Sequence, residues 1–218
     1  MNPKNKKNVV IIGGGGHARV ILSIINQSRE FKMIGYTDNI EQEGMPNYLG
    51  KDEILLRKKN EYVNLVIGIS YIKNVYNSLR KKIINKFYSI EEYNFPIITS
   101  KYSYIDENTI IKAGTIIGNA CVINTCSKIN EFCVINTNST IEHNCILGFN
   151  TQVSPGTTLL GNVETGNHVF IGAGSTVLED ISITDNVIIG AGSLVTKNIT
   201  RSGLYYGNPA RFIKYLAY

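Results

Sequence analysis

The sequence predicts two joined folds: a small α/β unit with a parallel sheet and, after it, an all-β parallel β-helix. Three observations predict them. From Ile105 to Val195 every sixth residue is aliphatic, with Thr165 the one exception among sixteen positions. Ahead of that series, a strand-like "NVVII" (8–12) runs into "GGGGHA" (13–18) and then into a helical pattern. Between the two, "EEYNFPIITSKYS" (91–103) carries Pro96 and the change of period. The boundary therefore falls near residue 95, with an α/β domain over 1–95 and a β-helix domain over 96–218.

The elements follow in order. "NVVII" reads as a buried strand. The glycine turn opens a helix with Val20, Ile21, Ile24 and Ile25 on one face. "FKMIGYTDN" (31–39) is a second strand ending in Asp38, "NLVIGIS" (64–70) a third, and "NVYNSLRKKIINKF" (74–87) a second helix. Strands alternating with helices make a parallel sheet. A period of six fits neither a helix nor an alternating strand. It fits a solenoid whose coil has several flat sides, each one hexad long. A triangular section gives 18 residues per coil and about five coils in all.

The residue after each aliphatic position is often Gly or Asn, as at Gly118, Asn124, Asn136 and Gly148. These are expected to supply the left-handed backbone of tight corners. The residue two before is small or β-branched. Cys121, Cys133 and Cys145 fall in that slot and read as small core fillers. The closing "GNPARF" (207–212) reads as the start of a short terminal helix, with Asn208 as N-cap and Pro209 at N1.

Composition bounds the function. At 43% hydrophobic and 18% charged residues, 218 residues suit a soluble globular protein of one or two domains. No apolar run is long enough to span a membrane. The apolar run near the N-terminus is too short for a secretory signal, so a cytoplasmic protein is expected. None of the four cysteines has C-x-x-C spacing, so neither a metal site nor a disulfide is expected. Residues 1–98 carry 15 basic and 9 acidic side chains, whereas residues 99–200 carry 4 and 8. The "RKK" runs at 57–59 and 80–82 read as solvated helix faces. A basic domain also suits an anionic small molecule such as a nucleotide diphosphate, and no nucleic-acid module is evident.

Two places carry chemistry. The glycine turn matches G-x-G-x-x-A at Gly13, Gly15 and Ala18. Backbone N–H groups at the helix start form an anion site. The candidate ligand-binding residues here are Gly13, Gly14, Gly15, Gly16, His17, Asp38 and Ser70. A tight structural turn and a bound NAD are the alternatives. A unit of under 100 residues leaves little room for both halves of a dinucleotide fold, which favours a mononucleotide diphosphate. The second place is His143, in "NSTIEHNCILGFN" (138–150). It lies two residues after Ile141, at a corner, so its side chain should leave the prism. Stacking by 18 puts Thr125 one coil before it and Gly161 one coil after, which leaves room along that edge. A plain exposed corner histidine is the alternative. A metal site is disfavoured because His17 and His168 do not share its column.

"IIGGGGHARV", "YTDN", the hexads, "NTNSTIEHNCILG", "IIGAGSLVTKNI" and "YYGNPAR" together resemble one bacterial family over nearly the whole chain. It comprises the left-handed β-helix (hexapeptide-repeat) acetyltransferases of nucleotide-linked 4-amino sugars, with the sialic acid O-acetyltransferases as near relatives. The resemblance implies an N-terminal Rossmann-like small domain plus a left-handed parallel β-helix, assembled as a homotrimer with active sites in the clefts between prisms. It also implies acetyl-CoA as donor, no metal, and a nucleotide-linked amino sugar held by the α/β domain. His143 would be the general base. In the family its neighbour is usually Glu or Asp, where this chain has Asn144, so Glu142, Asn144 or a main-chain carbonyl would orient the ring. The Gly161 N–H would hold the oxyanion. Gly172, Ala173, Gly190 and Ala191 form an edge that suits a pantetheine arm, with Lys197 beside the acetyl-CoA site. Three readings stay open: N-acetylation of a nucleotide-linked amino sugar, O-acetylation of sialic acid, and a non-catalytic solenoid that only binds.

Overall fold

The computed structural model describes residues 6–59, 61–70 and 79–216. The α/β unit contains β1 (Lys7–Ile12), α1 (Gly16–Gln27), β2 (Phe31–Thr37), α2 (Glu53–Arg57), β3 (Leu65–Ile67) and α3 (Leu79–Tyr88). Its three-stranded sheet is parallel in the order β2-β1-β3, so β1 is central and its last four residues are buried. The helix expected over 74–87 is described only from Leu79; its first part lies outside the described residues. The strand order reverses at β1, which opens a crevice at the carboxyl ends of β1 and β3. The glycine turn and Ser70 stand there.

The solenoid begins at Ile98–Thr99, one hexad before the aliphatic series starts. Three parallel sheets form its faces. The first runs from Ile98–Thr99 through Ile116–Ile117, Val134–Ile135, Gln152–Val153 and Phe170–Ile171 to Val187–Ile189. The second runs from Tyr104–Ile105 to Leu194–Val195 in six strands, and the third from Ile110–Ile111 to Ser182–Ile183 in five. Every pairing is 18 residues apart, for example Ile141 with Leu159. The hexad residues are the core: Ile117, Ile123, Ile135, Ile141, Leu147, Val153, Leu159 and Ile171 are all fully buried. Thr165 is buried too, and its hydroxyl accepts a bond from the Gly148 N–H (3.1 Å), which satisfies the one polar member of the series.

Two expectations change, the corner position and the terminal segment. The left-handed corner residue lies three positions after the aliphatic one, not one: Ala120, Cys126, Phe132, Asn138, Asn144, Asn150, Asn162 and His168 all have φ between +54° and +61°. Gly or Asn at the first position serves the next coil instead. A Cβ at Gly118 would meet Thr137 N at 2.9 Å. The Asn130 and Asn136 side-chain amides donate to Leu147 O (2.7 Å) and Val153 O (3.1 Å).

The slot of small residues is a ladder of donors. Ser127, Ser139, Thr157 and Ser175 each donate to a carbonyl 15 residues on. Cys121, Cys133 and Cys145 do the same through Sγ at 3.0, 3.2 and 3.1 Å. Burial pushes the thiols of Cys133 and Cys145 up to about 12 and about 11, so neither is a nucleophile.

The terminal segment is not a helix. Gly203–Gly207 pairs in parallel with Val187–Ile189 and antiparallel with Ala210–Lys214, with Asn208 and Pro209 in the turn. The last strand of the first face would otherwise leave its backbone groups open. The hairpin covers them and packs Tyr205 against Phe212, whose ring lies 3.7 Å under the Arg201 guanidinium.

The α/β unit sits on the first face. Ile98 and Ile116 join the cluster of α1 and β2, and Phe132 joins that of β3 and α3.

Candidate active site

His143 is an exposed corner side chain, at the turn between the second face (Thr140–Ile141) and the third (Ile146–Leu147). Gly161, directly above it, is buried by the imidazole. A Cβ there would meet His143 Cε1 at 2.6 Å and Nε2 at 2.8 Å. Only glycine lets the ring lie in this place. Asn144 orients it: the side-chain Oδ1 stands 2.9 Å from His143 Nδ1. With the amide oxygen toward the ring, Nδ1 is the donor of this bond. Asn144 has φ +61°, so one residue makes the left-handed corner and holds the ring. Glu142 is turned to the preceding coil, where its carboxylate accepts from Asn124 Nδ2 (2.8 Å).

The coil-to-coil bonds around Gly161 leave one donor over. Leu160 N donates to Val177 O and Asn162 N to His143 O, each at 3.0 Å. Among the described residues the Gly161 N–H takes no part in that ladder. Lys197 is exposed and lies in the same corner column as His143, three coils above it. Gly172, Ala173, Gly190 and Ala191 form the other edge, between the first and second faces. Gly172 and Gly190 have internal reasons to be glycine, since a Cβ on the first would meet the Ala191 backbone and one on the second Tyr206 Cβ. Ala173 and Ala191 are exposed and leave that edge smooth.

At the glycine turn the four glycines divide. Gly13 has φ +96°, and a Cβ there would meet Ile69 Cγ1 at 2.7 Å; at Gly14 it would meet the Tyr36 ring at 2.6 Å. Those two are fixed by folding. At Gly15 and Gly16 a Cβ would meet nothing within 4 Å among the described residues, and both residues are exposed. They keep the start of α1 bare, with no side-chain cap and no acidic residue in the first turn, which suits an anion. Asp38 closes the turn: its Oδ2 accepts from the Gly14 N–H (2.9 Å) and its Oδ1 from the Asn39 N–H (2.7 Å). Ser70 donates to Gln152 Oε1 on the solenoid (2.9 Å).

His17 follows the glycines, and its Nε2 is shielded from solvent with no partner among the described residues. A hydrogen bond from a ligand is stabilising there. Burial, helped by the Arg80 charge, lowers its pKa to about 3; burial and the Lys81 charge lower that of His168 to about 4, against a small opposing effect of Asp185. Both rings are neutral in the fold. Below the ordinary histidine value of 6.5 the unfolded chain takes up protons that the folded chain refuses. Stability is thus complete above that pH and lost as pH falls toward 4 and then 3. The melting temperature should drop between pH 7 and pH 5, ahead of carboxylate titration, and the drop should shrink in His168→Asn. An equal drop in the variant would contradict this.

The sequence reading missed Arg80, Asn150 and Gln152. Arg80 is fully buried, contrary to the solvated face expected for 80–82. Its spacing from Ile83, Ile84 and Phe87 (i+3, i+4, i+7) places it on the buried side of α3, a signal that was readable. Gln152 breaks an otherwise apolar outward column of Ile98, Ile116, Val134, Phe170 and Ile188, and lies buried under the α/β unit.

Residues 8–87 match the PglD N-terminal domain, and residues 162–197 match the bacterial transferase hexapeptide (six repeats). PerB from Caulobacter crescentus, solved with CoA and GDP-perosamine, is 27% identical over 95% of this chain and 98% of that one, at a TM-score of 0.85. These matches support a sugar acetyltransferase of the hexapeptide-repeat, left-handed β-helix type. The same fold, at 22% identity, is that of the acetyltransferase domain of PglB from Neisseria gonorrhoeae FA1090, which covers 94% of this chain and 99% of that one at a TM-score of 0.84. WeeI from Acinetobacter baumannii AYE shares the fold at 20% identity, over 95% and 100% of the two chains, at a TM-score of 0.77. No curated protein matches the chain. Together the matches support an acyltransferase. Among the described residues no cluster of metal-ligating side chains occurs, and no helix is long and apolar enough to cross a membrane.

Proposed function

We propose that the protein transfers an acetyl group from acetyl-CoA to the amine of a nucleotide-linked 4-amino-4,6-dideoxy sugar, with His143 as general base. The observation that carries this is the His143 ring, tied at Nδ1 by Asn144 and seated under Gly161, with Nε2 outside that bond. The bare start of α1 at Gly15 and Gly16 supports a diphosphate there. The likeness to an enzyme solved with CoA and GDP-perosamine supports both ligands. Structures of that enzyme with a histidine replaced by asparagine or alanine still carry CoA and GDP-perosamine.

In this reading the sugar amine attacks the thioester carbonyl, forming the C–N bond. His143 Nε2 takes the amine proton, and the Gly161 N–H donates to the oxyanion. The C–S bond then breaks, and the proton leaves with the CoA thiolate. The smooth edge of Ala173 and Ala191 accommodates a pantetheine arm, and Lys197 offers a cation to its phosphates.

The site belongs to an assembly. The α/β unit covers the first face, whereas His143 stands at the corner between the other two, on the far side of the same prism. A homotrimer that pairs the Gly172 edge of one prism with the His143 corner of the next brings the parts together. The second face lies between both, and its outward Val122, Thr140, Thr158 and Thr176 are half-buried β-branched residues suited to contact. The test is thiol release from acetyl-CoA with UDP-, GDP-, dTDP- and CMP-linked sugars, run beside light scattering. Turnover with a nucleotide-linked amino sugar is expected, at a mass near three times 24.2 kDa. A monomer, or turnover of sialic acid alone, would overturn the reading.

A further inference from the structure

Arg80 is a fully buried cation at the junction of the two domains. Toward the α/β unit its Nη1 donates to Ile69 O (2.6 Å) and Ile67 O (3.3 Å), at the end of β3. Toward the solenoid its Nη2 donates to Phe132 O (2.8 Å) and its Nε to Asn150 Oδ1 (2.9 Å). Each end of this clamp leads into a working part. Ile69 is the side chain against which Gly13 is packed, and the Gly68 N–H donates to Ile12 O (2.7 Å), so β3 is one wall of the glycine turn. Phe132 and Asn150 are left-handed corner residues of successive coils, with φ +60° and +54°. Asn150 Nδ2 passes the contact to His168 Nδ1 in the coil above (3.1 Å). The Ser70–Gln152 bond is a second strut from the same crevice to the first face.

Burying a guanidinium is costly unless its donors are met, and apolar side chains could fill the same space. What an apolar residue could not do is specify direction: a planar fork with three bonded nitrogens fixes both the spacing and the angle of the two domains. We propose that Arg80 is a positioning residue that sets the glycine turn in register with the solenoid, so that an acceptor held at the turn meets the transfer cleft. This rests on the function proposed above. A misplacement of about 1 Å can cost on the order of 100-fold in rate, so the effect belongs in kcat and not in affinity.

The test compares Arg80→Met and Asn150→Ala with the wild-type enzyme by kinetics, titration calorimetry and scanning calorimetry. For Arg80→Met, dissociation constants for the sugar nucleotide and CoA should stay within about threefold while kcat falls about 10- to 100-fold. The wild type should unfold in one transition and Arg80→Met in two as the domains uncouple, and Asn150→Ala should show the same pattern in milder form. A single transition at lower temperature with unchanged kcat would reduce Arg80 to a stability role and overturn the proposal, as would equal loss of affinity for both ligands. If Arg80→Met does not fold, Asn150→Ala decides alone. A wild-type enzyme that turns over no nucleotide-linked sugar removes the function reading, and the number of transitions still decides the coupling.

Discussion

His143→Asn should lower kcat by about 100- to 10,000-fold, the usual worth of a positioned general base. The oligomeric state and the affinity for CoA should be kept. The side chain is exposed at a corner and contributes nothing to the core, so its loss opens no cavity. Asparagine keeps a polar side chain at the corner and removes only the basic nitrogen. The companion change Asn144→Ala separates basicity from orientation: it keeps the imidazole but frees Nδ1 from its 2.9 Å partner. Its loss in kcat should be smaller than that of His143→Asn. Steady-state rates on the true acceptor, with CoA binding by calorimetry, decide the matter. A His143→Asn enzyme with near-wild-type turnover would send the search for the base to Glu142.

Gly161→Ala should cost about 100- to 1,000-fold in kcat, close to the loss of an oxyanion donor, although the backbone N–H remains. The added methyl would stand 2.6 Å from His143 Cε1 and 2.8 Å from Nε2, so the ring must swing out of its seat. Gly161 is not in the left-handed region, so alanine brings no backbone strain of its own and the solenoid should fold. The mid-point of thermal unfolding should shift little while activity falls. An enzyme of normal kcat would show that the ring does not work from this position. Gly15→Ala makes a useful contrast, because a Cβ there meets nothing within 4 Å among the described residues, so a loss of sugar-nucleotide affinity would point to contact with the bound molecule.

The hexad series marks its own core because each aliphatic side chain is read by its neighbours 18 residues away, and that arithmetic is linear in sequence. The α/β unit was legible for a related reason: the strand, glycine turn and helix of residues 7–27 are one continuous local pattern. The corner position was misplaced because Gly and Asn serve two purposes in a coil, left-handed backbone and close approach to the next turn. Composition cannot tell these apart, whereas φ at Asn144 and its neighbours does. The terminal helix failed for want of length. Once the open edge of Val187–Ile189 is considered, a strand pairing satisfies more backbone groups than one turn of helix would.

The sequence by itself therefore determined the solenoid, the glycine turn and the column in which His143 meets Gly161. All follow from repeats or from neighbours in the chain. Only the tertiary structure decided that Asn144 holds the ring, that Asp38 closes the turn on Gly14, and that Arg80 is buried between the domains against residues 52 and 70 positions away. Those contacts depend on the side-chain direction at a left-handed corner and on the angle between two domains. Neither is encoded in a period, because each is set by which polar groups are left to pair when the two cores close.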